Sequence, residues 1–487
     1  MTDSALLYQT LPQGQTTFGG HPRALRTLFL TEMWERFSYY GMRAILMLYM
    51  VAPEANGGLG FTVLKAAGVY GWYTSLVYLT ALPGGYLADT ILGQRSAVIL
   101  GGMVIALGHF CLAFPSLNSF YGGLALIVAG TGLLKPNAST LVGGLYGPGD
   151  TRRDAGFSIF YMGINLGAMI SPIACGYLAQ SSSFLGLLSA HGLNPHLGWH
   201  FGFAAAGLGM VFGVLQFIVG LKNFGEVGSR PRVASSHLSD KPGNLSDKLP
   251  QPGAAPHSRL TLDDWTRLGA IFILFAFATF FWSAYEQAGS SLNLFADQLT
   301  NNSIGIHWTL FGAAVNFDYD FPSSWLQAVN SIFVIALAPA FAWLWVRLGK
   351  HEPSSPAKFT WGLVCVALSF FIVAGGALVA QRSGGRVSPW WLVSVYLFST
   401  LGELCISPVG LSTVTKLAPA RFASLMMGVW FLSLAAGNKL GGVIAGHYDP
   451  HGSLPFLFLS VALSALAAAA VLAVLLRPIR KLMAGVH

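Results

Sequence analysis

Apolar residues along this chain gather into long runs rather than the short periodic stripes of a water-soluble fold. A bilayer core about 30 Å thick needs about 20 such residues per helical crossing. Twelve segments meet that need: 27–51, 66–88, 96–114, 119–143, 155–180, 201–221, 268–292, 325–346, 359–380, 390–414, 422–445 and 454–476. The pattern predicts an all-α membrane protein of twelve transmembrane helices. The first run lacks the short apolar region and small-residue cleavage site of a signal peptide and is kept as structure. Pro83, Pro136, Pro172, Pro339 and Pro408 fall inside runs, where kinks are tolerated if neighbouring groups satisfy the freed carbonyls.

One stretch breaks the pattern. From Lys222 to about Arg267 the chain is rich in Pro, Ser, Gly, Asp and Lys and holds no apolar run long enough to span. It reads as a solvated linker dividing the spans six and six. The predicted organisation is a segment 1–26, a six-helix bundle 27–221, the linker 222–267, a second bundle 268–476 and a tail 477–487. Lysine and arginine fix the orientation. With the N-terminus in the cytoplasm, the cytoplasmic segments hold 20 of the 27 bases and the outer loops three, Lys65, Arg382 and Arg386. That is a strong positive-inside signal, with both termini, the linker and the tail cytoplasmic. Two six-helix halves on a cytoplasmic linker are the layout of major facilitator transporters, which bind substrate between the halves near the midplane. Channels and membrane enzymes share the span count.

Composition narrows the classes. Hydrophobic residues make up 54% of the chain and charged ones 9%, against about 25% charged in a soluble domain. A cytosolic enzyme, a disordered chain and a nucleic-acid binder are excluded, and the net charge of +8 follows from topology rather than from an acidic partner. Cys111, Cys175, Cys365 and Cys405 sit in apolar runs without close spacing and read as small buried hydrophobes. His109 stands alone in its span, and no His/Cys/Asp cluster offers a nucleophile or a metal site, so no catalytic or metal-binding residues are assigned.

Eight ionisable groups lie inside the runs: Arg36, Arg43, Lys135 and Lys439, with Glu32, Glu35, Glu286 and Glu403. Buried charges demand partners, and one reading is structural ion pairs joining helices. At about 1.5 Å of rise per residue, Arg43 and Glu286 both lie about 24–27 Å from the cytoplasmic side, and Lys135 and Glu403 about 12–17 Å. Depth therefore pairs Arg43 with Glu286 as an outer gate and Lys135 with Glu403 as an inner gate, each joining one half to the other. The two could not both be closed while a substrate passes. Residues 32, 35 and 36 share one helix face by i, i+3, i+4 spacing. Two carboxylates beside one guanidinium make a proton site, since repulsion and desolvation raise one acid's affinity for a proton. Protonation would free Arg36 to hold a substrate carboxylate through its fork.

The motifs carry a resemblance. EMWERFSYYGMR (32–43) resembles the first-helix signature of the proton-dependent oligopeptide transporter family, and FYMGINLGA (160–168) its fifth-helix signature. GLLKPN (132–137), FWSAYEQAGSS (281–291) and GELCISPVGLS (402–412) resemble helices 4, 7 and 10, and PSSPAKF (353–359) the loop after helix 8. GGYLADTILGQR (84–95) is similar to the general facilitator loop between helices 2 and 3. The resemblance implies a proton-coupled symporter importing di- and tripeptides by alternating access, with protons as coupling ion and no other cofactor. It implies a bacterial cytoplasmic membrane location, peptides and the lipid bilayer as partners, no nucleic acid, and function as a monomer.

It also implies roles. Glu32, Glu35 and Arg36 match the proton-coupling motif. Arg36, Lys135 and Tyr40 match positions receiving a peptide carboxylate, and Glu403, Asn165 and Asn330 those receiving its amine. Tyr78, Trp282 and Trp430 match side-chain pocket walls, and Phe157, Tyr161 and Leu411 an inner hydrophobic gate. Asp89 and Arg95 match a conformational latch. Interhelical glue for the asparagines and ordinary packing for the aromatic and gate residues are the competing readings. Two departures stand out. Gly71 aligns where animal members carry a histidine, which leaves coupling to the carboxylates. Residues 222–266 cannot supply the extra hairpin of many bacterial members, so twelve helices are expected rather than fourteen. Lys439 matches no family role, and a structural partner in the outer half is expected for it. Within the class, a relative carrying nitrate or another anion is the alternative, and the intact Glu32/Glu35 pair argues against it.

Overall fold

The computed structural model describes residues 16–147, 150–229, 231, 262–310, 313–418 and 423–483. The central part of the 222–267 linker and the extreme termini lie outside the described residues, and so do the expectations that fall on them.

The first half comprises α1 (Arg23–Val51), α2 (Val63–Leu79), α3 (Ala81–Leu87), α4 (Gln94–Leu112), α5 (Leu117–Gly144), α6 (Arg153–Gln180), the short α7 (Ser182–Ala190) and α8 (Gly198–Gly220). The second comprises α9 (Leu262–Tyr285), α10 (Ser291–Gln298), α11 (Ala328–Leu348), α12 (Ser355–Ser383), α13 (Trp390–Leu417), α14 (Ala423–Ala445) and α15 (Leu454–Leu482). Among the described residues ten helical segments are long and apolar enough to cross a membrane; this is an integral membrane protein. α1 and the α2–α3 stretch are not among the ten. α1 carries Glu32, Glu35, Arg36 and Arg43 as well as Arg23 and Arg26, and α2 stops after 17 residues.

That stop has a local cause. Pro83 has no N–H to return to the turn before it, and α2 ends at Leu79, with Thr80 donating its hydroxyl to the Val128 carbonyl of α5 at 3.0 Å. The chain resumes as α3 and ends in a π turn over Ala88–Leu92. Pro136, Pro172, Pro339 and Pro408 are held inside α5, α6, α11 and α13. Helix ends otherwise fall within a few residues of the apolar runs. α9 is the exception: it breaks into a 3₁₀ turn at Glu286–Gly289 before α10.

Two features have no counterpart among the expected elements. Short β1 (Thr16–Phe18) pairs with β2 (His21–Pro22) before α1. Between α10 and α11, β3 (Ser303–Leu310) pairs antiparallel with β4 (Ala313–Asp320), in register from Ser303 opposite Asp320 to Leu310 opposite Ala313.

The halves meet along two seams: α2 packs on α14, and α6 on α11. One continuous buried core runs through the second half and into the first through Met42, Tyr70 and Phe203. A separate cluster, including Leu25, Leu28, Leu141 and Phe217, belongs to the first half alone and lies toward the end that carries the linker.

Candidate functional site

The charged residues of α1 form two groups. Near the linker end, Arg36 Nε donates to Glu32 Oε1 at 2.9 Å and lies 2.7 Å from Glu35 Oε2. The face expected from the 32/35/36 spacing is therefore real, and all three side chains are buried. One N–H cannot align with two carboxylates. It serves Glu32, while both Glu35 oxygens, Glu32 Oε2 and Arg36 Nη2 are buried without a hydrogen-bond partner. Glu35 is thus the buried acid of the pair that touches the guanidinium without an aligned hydrogen bond.

Two turns further along α1, Arg43 Nη2 lies 2.6 Å from Glu286 Oε2, and its Nε donates to the Tyr70 hydroxyl at 2.6 Å. The ion pair predicted from depth is made, and it joins the halves. The 3₁₀ turn that presents Glu286 crosses directly over this arginine. A Cβ at Gly289 would fall 1.9 Å from the Tyr70 hydroxyl and 2.7 Å from Arg43 Nε, so a side chain there would displace the two groups that make this contact.

Polar contacts then seal that end on both seams. Asn293 and Gln327 of the second half both donate to the Ala44 carbonyl, at 2.8 and 3.2 Å. Ser75 donates to Ala435 O at 2.7 Å and Asn438 Nδ2 to Thr74 O at 3.3 Å. Gln180 of α6 donates to Ser323 Oγ at 3.0 Å and to Asp297 Oδ1 at 3.3 Å. Where α2 crosses α14, a Cβ on Gly442 would lie 2.7 Å from Gly71 Cα and 2.8 Å from Ala67 O.

The second expected pair is not made in this structure. Among the described residues no ion pair joins Lys135 and Glu403; the Lys135 ammonium lies 3.8 Å above the Tyr78 ring in its own half. Glu403 Oε2 accepts from the Tyr285 hydroxyl at 2.6 Å, also within its own half. Tyr285 lies 3.1 Å from Asn330 Oδ1, whose Nδ2 donates to Thr400 at 2.8 Å. The physical reason is local: each charge already has a partner in its own half, Lys135 the face of Tyr78 and Glu403 the Tyr285 hydroxyl.

Tyr40 places its ring 5.6 Å from the Arg43 guanidinium and edge-on to Tyr39. Tyr78 stacks on Phe431 across the α2–α14 seam at 6.4 Å. Trp282 packs edge-on to Tyr285 and keeps its buried Nε1 without a partner. Asn165 donates back to Tyr161 O at 3.1 Å, within its own helix. Trp430 is buried inside the second half, against Phe275 and Phe359, and a Cβ on Gly410 would strike its ring. Tyr161 is 37% exposed, and Phe157 packs beside the first half's own core and near Arg153; the Leu411 side chain lies outside the described ones. Arg95 donates to the carbonyls of Val227 and Gly225 beyond α8, and Gln94 donates to Asp89 at 3.3 Å. The structural partner expected for Lys439 is Trp72, whose ring centroid is 4.1 Å from its Nζ.

Sequence reasoning missed Tyr70 and Tyr285, the hydroxyls that serve Arg43 and Glu403. The signal for Tyr285 was its place beside Glu286 in FWSAYEQ. Tyr70 left none, because its helix packs against α1 only through tertiary structure.

A helical membrane protein whose halves are joined by a buried ion pair, with further buried charges on both sides of the seam, has the build of a transporter. The profile of the POT family matches residues 95–240 and 254–453. The chain is 39% identical to "Peptide transporter YePEPT" of Yersinia enterocolitica subsp. palearctica, over 96% of this chain and 97% of the relative. It is 34% identical to a "Di-/tripeptide transporter" of Lactococcus lactis subsp. cremoris, over 98% and 100%. Its fold superposes on a crystal structure of a peptide transporter POT mutant in complex with alafosfalin, with a TM-score of 0.82 at 35% identity over the whole of both chains. This chain belongs to the POT family.

Proposed function

We propose that this protein is a proton-coupled symporter of di- and tripeptides that works by alternating access. The observation that carries the reading is the unequal state of the two charge pairs. Arg43–Glu286 is closed at 2.6 Å, while Lys135 and Glu403 are each engaged within their own half. That is the arrangement of a carrier open toward one side.

The fold reading is twelve transmembrane helices in two bundles of six, with α1 and α2–α3 as the first two. Both termini and the linker face the cytoplasm of a bacterial cell, and the open side is the cytoplasmic one. A zwitterionic peptide fits the charges. Arg36, Lys135 and Tyr40 receive its carboxylate, while Glu403, Asn330 and Asn165 receive its amine. Tyr78 and Trp282 flank its side chains, while Trp430 packs inside the second half against Phe275 and Phe359. Glu35 carries the coupling proton, since Arg36 Nε is aligned with Glu32 instead. Phe157 and Tyr161 of the first half close against Leu411 of the second when Lys135 meets Glu403. One chain holds both halves of the site, so the monomer is the transport unit.

The test is uptake of a labelled dipeptide into proteoliposomes under an imposed pH gradient, inside alkaline. Accumulation is expected for the wild type. Glu35→Gln is expected to abolish accumulation and leave counterflow measurable, because counterflow needs no net proton movement. Full accumulation by this variant would remove Glu35 from the coupling path. Absence of any peptide uptake by the wild type would sink the reading itself.

A further inference from the structure

Lys439 is the in-span cation that the two charge pairs and the α1 cluster leave over. Its Nζ stands 4.1 Å from the centre of the Trp72 ring, and the two residues belong to different halves. Among the described residues Lys439 makes no ion pair. Its neighbour Asn438 donates across the seam to Thr74, and the Gly71–Gly442 crossing is one residue from Trp72 and three from Lys439. Trp72 is 53% exposed on the outside of the bundle, away from the central charges.

Lys439 is half-buried on a helix read as a span, where hydrocarbon offers an ammonium few partners, and the indole face is the best aromatic site for it. The contact needs α2 and α14 close together, because neither side chain could reach the other if the seam parted by a helix radius. We propose that Lys439 and Trp72 form a perimeter latch on the α2–α14 seam that favours the state closed at the end opposite the linker. It is a positioning contact and touches no substrate. Arg43–Glu286 sits inside, where protons and substrate charge can act on it. The perimeter contact sets the resting bias independently of both. The inference rests on the alternating-access reading but not on the identity of the substrate.

The experiment uses the full chain in nanodiscs, with spin labels at Glu54 and His451, both exposed at that end, to read the closed-to-open ratio. Lys439→Gln and Trp72→Leu are each expected to lower the ratio roughly fivefold to thirtyfold, the range for a partly to well desolvated cation–π contact. Trp72→Phe and Lys439→Arg should retain much of it. The double variant should be no worse than either single, since both remove one contact. An unchanged ratio in Lys439→Gln, or two single effects that add fully in the double variant, would overturn the latch. Because the readout is a distance without substrate, failure of the peptide reading would leave it interpretable.

Discussion

The two ends of the interface between the halves are built differently. At the end opposite the linker, α2 and α14 touch backbone to backbone at Gly71 and Gly442, a buried ion pair is made, and one carbonyl, Ala44, collects two amides from the other half. Near the linker end the charged residues face inward but turn to partners in their own half: Lys135 to Tyr78, and Glu403 to Tyr285. The closed end adds to its side-chain contacts a backbone crossing, Gly71 on Gly442, that side-chain rotation cannot relieve. The linker end keeps its charges on side-chain partners within their own halves, which rotation can exchange. A carrier needs both properties and must exchange them between ends during each cycle.

The largest effect is expected from wedging the closed end. Gly442→Val places a Cβ 2.7 Å from Gly71 Cα and 2.8 Å from the Ala67 carbonyl, and neither backbone atom can step aside. Dipeptide uptake should fall to background while surface expression persists; near-normal uptake would mean that this crossing opens without cost.

Glu286→Gln sharpens the comparison by leaving the glycine crossing intact and removing one buried charge. Losing one partner of such a pair costs about 3–5 kcal/mol, and the retained amide and Tyr70 place this variant at about 3. The closed-end label distance should broaden toward the open value. An unchanged distribution would mean that packing alone holds this end.

Tyr285→Phe acts on the open end. It removes the 2.6 Å hydrogen bond to Glu403, worth about 1.5–3 kcal/mol for an ionised acceptor, so Glu403 becomes freer to meet Lys135. A cysteine at Tyr161 in a chain freed of its native cysteines should react about tenfold more slowly with an impermeant thiol reagent, as that end closes more often. Faster reaction would mean that Tyr285 helps closure rather than delaying it.

The smallest effect concerns the linker-end surface. Arg152 hydrogen-bonds Asp150 through its side chain and its backbone N–H and donates to the Gly20 carbonyl, pinning β1–β2. Those hydrogen bonds hold the Asp150 carboxyl down at about 2. A depressed acid contributes stability above its unfolded value and loses it as pH falls through the folded one. The tie should therefore be unchanged from pH 5 to 8 and loosen only toward pH 2. Asp150→Asn should raise proteolysis around residues 19–20 slightly at neutral pH; a wild-type tie that already loosened at pH 5 would contradict the assignment.

Much of this was legible in the sequence, because hydrocarbon forbids charge and exposed backbone. The apolar runs located the helices, and the cost of burying Arg43 and Glu286 located their pairing. The 32/35/36 face followed from helical periodicity alone. What stayed hidden depends on tertiary context. Which of two carboxylates receives the single Arg36 N–H is a matter of rotamers. That Lys135 turns to Tyr78 and Glu403 to Tyr285 is set by tertiary packing, which no local pattern encodes. The β3–β4 hairpin was overlooked although its strands, IGIHWT and AVNFDYD, are rich in β-branched and aromatic residues, and the break of α9 at Glu286–Gly289 falls within an apolar run that reads as continuous.

The central claim is that closure alternates between the two ends. One label pair at Glu54 and His451 and another at Asp154 and Glu352, on the linker side, would be read by pulsed electron–electron double resonance in the same nanodisc preparation, with and without a dipeptide at acid and neutral pH. The account predicts anticorrelated distances: conditions that lengthen the first pair shorten the second, and no population has both long. A population open at both ends, or two distances that vary independently, would contradict it.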